Sequence, residues 1–104
     1  MRARAALLLA LLAAPASAQG DSACPRDVLV AQSQQRLALD RLEQTGSDEA
    51  ATCRVWRSHV DTMRRVGAVY GRCLTGAERT QRLAQVQDSE REFAAAIKAR
   101  CGGR

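Results

Sequence analysis

Past its first two dozen residues, the chain alternates apolar and polar positions with the period of an α-helix, in three stretches separated by turn residues. In the first, Cys24, Val28, Ala31, Gln35, Ala38, Leu39 and Leu42 recur at steps of three and four and make one stripe. Pro25 suits a first helical turn, where its missing N–H costs nothing, with Ser22 or Asp21 as cap. Gly46 is placed to end the helix in a left-handed conformation.

Ser47 then stands as a cap before Asp48 and Glu49, acids that the positive end of a helix dipole favours. The stripe that follows is Cys53, Trp56, Val60, Met63, Gly67, Tyr70 and Leu74, which predicts a buried Trp56. A second row of His59, Thr62, Val66, Val69 and Cys73 widens the apolar arc to roughly 200° at about 100° per residue. So broad an arc suits a helix with a neighbour on each side. Thr75 and Glu78 have the spacing of a capping box, and Leu83, Val86, Glu90, Phe93, Ala94, Ile97 and Cys101 form the third stripe, stopped by Gly102-Gly103. The expected elements are helices over about 25–44, 48–74 and 76–101.

The segment before these stripes reads as an address. Arg2 and Arg4 precede a ten-residue apolar run, Ala5 to Ala14, and Ala16-Ser17-Ala18 has the small-x-small form that signal peptidase cuts. Residues 1–18 are therefore expected to be a signal peptide, and 19–104 one domain of 86 residues. The run is too short to span a bilayer. No second apolar stretch of spanning length follows, so no transmembrane segment is expected in the mature chain, which would be soluble and periplasmic, or secreted where there is no outer membrane. Asp21 in place of an apolar residue three positions before Cys24 speaks against a lipoprotein.

A domain this small buries only about 60–65% of its unfolded surface, which makes its core marginal. Its aromatic side chains are one Trp, one Tyr and one Phe, so the core must be largely Leu, Val and Ala, which argues for an all-α fold. Covalent staples are the expected remedy, and Cys24, Cys53, Cys73 and Cys101 supply two. Cys53 and Cys73 lie twenty residues apart in one helix, about 30 Å at 1.5 Å per residue and far beyond disulfide reach. In an antiparallel three-helix bundle running up, down and up, Cys24 meets Cys73 at one end and Cys53 meets Cys101 at the other. No Cys-x-x-Cys spacing points to redox or metal chemistry.

Charge gives the clearest functional lead. Without Arg2 and Arg4, 14 basic residues stand against 11 acidic ones, a net +3, too mild to declare a nucleic-acid partner. Within the second helix, however, Arg54, Arg57, Arg64, Arg65 and Arg72 fall within about 100° of arc opposite the apolar side, with Asp61 the one acid among them. The face is in part neutralised if Asp61 pairs with Arg57 and Arg65. Otherwise it offers planar forks to carboxylate or phosphate groups on an acidic protein, a cell-wall polymer or a lipid headgroup. Nucleic acid is not expected, because no aromatic residues interleave the arginines.

Inside the bundle, Gln35, His59 and Glu90 interrupt three apolar stripes at similar height and are expected to share one polar layer, with Arg64 competing for Glu90. His59 and Met63, one turn apart with Glu90 nearby, are the candidate ligands for a soft metal such as Cu(I). They make a thin site, and no cofactor is expected. Catalysis on His59 and Glu90 lacks a nucleophile or a second carboxylate. The sequence therefore predicts a non-enzymatic exported binding or accessory protein that docks an anionic partner on the arginine face, as a monomer or weak homodimer. The alternative is a carrier of a small ligand or metal built around His59.

Overall fold

A computed structural model describes residues 17–102 and holds three helices, α1 Ser17–Glu43, α2 Glu49–Cys73 and α3 Gly76–Arg100. The expected leader lies outside the described residues except for Ser17 and Ala18. No helix among the described residues is long and apolar enough to cross a membrane.

The helices run antiparallel in sequence order. Asp27, Gln35 and Ala38 of α1 meet Arg72, Tyr70 and His59 of α2 in descending order. Tyr70, Arg64 and Cys53 likewise meet Arg82, Glu90 and Cys101 along α3. Both disulfides have the expected pairing: Cys24–Cys73, with Cα atoms 5.2 Å apart, and Cys53–Cys101, at 6.0 Å.

Packing of the outer helices departs from a closed triangle. α1 and α3 each pack along α2, and among the described residues no Cα of α1 comes within 8 Å of α3. Side chains of α2 fill the space between them. Tyr70, Met63, His59 and Val66 are fully buried, and with Ala31 and Ala38 of α1 and Val86 of α3 they form most of the core. The wide apolar arc of α2 thus serves two neighbours whose backbones stay apart. Small residues at 31 and 38 let α1 approach α2 closely, whereas Leu29, Val30, Leu37 and Leu39 of α1 stay exposed.

Four local expectations need correction. Helix α1 begins at Ser17 rather than near residue 25, so Pro25 lies inside it and the carbonyl four residues earlier loses its helical donor. Asp48, not Ser47, caps α2 by accepting from the Ala50 N–H at 3.1 Å. Thr75 does occupy the N-cap position of α3, but its side chain makes no cap bond and Glu78 pairs with Arg82 one turn on, so the capping box is not closed. Trp56 is half-buried, with its ring edge-on to Phe93 at 6.0 Å and the Arg100 guanidinium 5.2 Å from its centre. Gly46 does take the left-handed conformation expected of it, with φ of +60°, after the end of α1.

Candidate functional site

The five arginines of α2 do not behave as one stripe. Arg64 donates to the Glu90 carboxylate of α3 at 2.7 Å, and Arg72 donates to Asp27 of α1 at 2.9 Å. From one broad face of α2 the two side chains reach to different helices and tie α2 to each neighbour. The Arg72 guanidinium holds the Asp27 carboxyl below its usual range, chiefly by direct hydrogen bonding. Arg54, Arg57 and Arg65 have no carboxylate within 4 Å among the described residues. The anticipated pairs of Asp61 with Arg57 and Arg65 do not form. Arg65 instead makes a long contact, 3.4 Å, to the Thr62 hydroxyl.

The interior polar residues also part company. Gln35 accepts from the Tyr70 hydroxyl at 2.8 Å, Glu90 faces outward to Arg64, and His59 meets Ser89, with Nε2 and Oγ 2.7 Å apart. The anticipated layer of Gln35, His59 and Glu90 is thus three separate pairs. Among the described residues no group of three or more His, Cys, Asp and Glu side chains is placed to hold a metal. Met63 is buried in the core beside Val66 and Val86.

His59 is 2% exposed, and its ring lies 4.6 Å from that of Phe93. Its Nδ1 is buried without a hydrogen-bond partner of ordinary geometry. Burial pushes the imidazole below its ordinary value, against the Ala38 carbonyl and Glu92, which both favour the proton. The unfolded chain therefore takes up this proton first as pH falls, at about 6.5. The contribution of a neutral His59 to stability is present above that pH and is lost as pH falls towards the lower folded value. Between pH 7 and 5.5 the protein is expected to lose stability, with a slope approaching at most about 1.4 kcal/mol per pH unit for one proton. Urea titrations at several pH values check this, and His59→Gln should remove the slope over that interval. A slope retained in the variant would assign it to another group.

His59 forms part of the floor of a cleft of about 440 Å³ along the α1–α2 seam. The buried Ala38 and Thr62 share the floor, while Leu37 and Val55 supply apolar wall. Around the opening stand Arg54 and Arg65 of α2 and Arg41 from the end of α1. Among the described residues no acidic side chain lines it. The structure thus joins two of the five predicted arginines, and His59, to a third cation that sequence reasoning passed over. The signal for Arg41 was present, since the Cys24–Cys73 bridge sets a helix register that puts Arg41 level with about residue 56. Ser89 was hidden by its neighbour, being one position from the Glu90 that drew attention as an acid.

Comparison with known protein families, curated proteins and solved structures finds no match to this chain. The functional reading therefore rests on its own chemistry.

Proposed function

We propose that this chain is a non-enzymatic exported binding protein, periplasmic in a Gram-negative cell, that docks an anionic partner through Arg54, Arg57 and Arg65. The observation that carries this reading is the division among the arginines of α2: two are engaged by carboxylates of neighbouring helices, and three meet none among the described residues. An unpaired guanidinium on a helix surface keeps its planar fork available for a bidentate carboxylate or phosphate. Support for export comes from the form of residues 1–18 and from two disulfides, which persist in oxidising compartments. An acidic protein, a cell-wall polymer or a lipid headgroup would each present suitable anions.

Capture from envelope extract tests the reading. The oxidised protein is expected to retain a partner that is released by moderate salt and lost when Arg54, Arg57 and Arg65 are all replaced by Gln. Replacement of Arg64 and Arg72 should leave capture intact, because those side chains face Glu90 and Asp27. Equal capture by the triple variant would overturn the assignment. The second reading, a small-ligand carrier around His59, is favoured by the buried His59 that lines the cleft, whose Nδ1 makes no hydrogen bond of ordinary geometry.

A further inference from the structure

We infer that the α1–α2 cleft is a binding site for an aliphatic carboxylate, with the headgroup among Arg41, Arg54 and Arg65 and the chain lying along α1. The inference rests on the openness of Arg54 and Arg65 that also underlies the docking surface, and it adds a ligand class and a floor. Three cations face a cleft that no acidic side chain lines among the described residues, so an anion is the complementary headgroup. None of the three has a carboxylate within 4 Å among the described residues.

A second, independent observation points to the same ligand. His59 is almost wholly buried and lines the cleft, and its Nδ1 makes no hydrogen bond of ordinary geometry. A buried polar atom without a good partner is costly, so a site that keeps one favours a ligand whose charge can act on it. In the tautomer that carries its hydrogen on Nδ1, the neutral ring accepts from the Ser89 hydroxyl at Nε2. A carboxylate seated at the guanidiniums lies beside that ring nitrogen, which is closed to solvent, and acts on it through its charge.

Exposed apolar side chains fix where the rest of the ligand runs. Leu37 is 53% exposed at the cleft, and Val30, 49% exposed, stands two turns earlier on the same side of α1. Together they offer an apolar track of about 10 Å at 1.5 Å per residue, leading away from the arginines. Exposed residues of this kind are ordinary when scattered, but this pair continues, past the exposed Gln34, the apolar part of the wall that Leu37 and Val55 supply. A small hydrophilic anion would leave the track unused.

Isothermal titration calorimetry with decanoate, acetate and decyltrimethylammonium tests the inference on the oxidised protein. One equivalent of decanoate is expected to bind. Arg54→Gln with Arg65→Gln should weaken it at least tenfold, and Leu37→Ser, an exposed substitution that leaves the core alone, at least fivefold. Acetate and decyltrimethylammonium should give no saturable heat at tenfold higher concentration. Absence of decanoate binding, binding that both variants retain, or acetate binding as tight as decanoate would each overturn the site. The two readings fail separately. A partner captured from envelope extract without decanoate binding leaves the docking surface and removes the cleft, while decanoate binding without capture does the reverse.

Discussion

Replacing both Cys53 and Cys101 with serine is expected to lower the unfolding free energy by about 2–5 kcal/mol and to release α3 before the rest of the domain. The bridge closes a loop of 48 residues, for which chain entropy alone gives about 4 kcal/mol. Its neighbourhood makes the loss local as well as global. Val86 is the one fully buried residue of α3, and among the described residues the α3 backbone comes close to α2 but not to α1. Without the bridge, its C-terminal half is held by the half-buried Phe93 and Ile97, by the contact of Ser89 with His59, and by the exposed-side pairing of Arg64 with Glu90, a class of ion pair worth little in water. Urea denaturation measures the total. Amide exchange measures the order, with α3 losing protection while α1 and α2 remain joined through Cys24–Cys73. A loss under about 1 kcal/mol, or uniform loss of protection, would show that α3 is secured by packing rather than by the bridge.

Tyr70→Ala is expected to cost about 3–5 kcal/mol, the range for removing a fully buried aromatic side chain. Tyr70 is 0% exposed and is the largest of the fully buried side chains. It occupies the space where the outer helices stand apart, with its hydroxyl donating to Gln35 of α1 and its ring within 5.8 Å of the Arg82 guanidinium of α3. Truncation would open a cavity that α1 and α3, bridged to opposite ends of α2, are poorly placed to close. Tyr70→Phe separates packing from hydrogen bonding. It should cost about 1–2 kcal/mol through the partner left at Gln35. Should the alanine variant lose no more than the phenylalanine variant, the side chain would not be the keystone between the outer helices.

Helix number, antiparallel order and disulfide pairing were legible because each follows from spacing along one chain. Twenty residues of helix between Cys53 and Cys73 exclude a bond between them whatever the packing, and Gly46 marks its turn by backbone conformation alone. What was not legible depends on how helices rotate against each other. The axial heights of Gln35, His59 and Glu90 are similar, yet one residue of α3 is about 100° of rotation, enough to give His59 Ser89 and send Glu90 to Arg64. The arginine face was visible as a pattern, but its division into engaged and open members required the positions of Asp27 and Glu90 on other helices. Arg41 belongs to a different helix from the stripe, so no periodicity within α2 could include it.

The two bridges have a consequence for the covalent connectivity of the chain. Their spans, 24 to 73 and 53 to 101, overlap along most of α2. A peptide bond hydrolysed in the first turn lies inside one span, one cut in the second turn lies inside the other, and one within residues 53–73 lies inside both. Any single proteolytic cut between Cys24 and Cys101 therefore leaves the fragments linked as one particle, heavier by a water molecule and separable only after reduction.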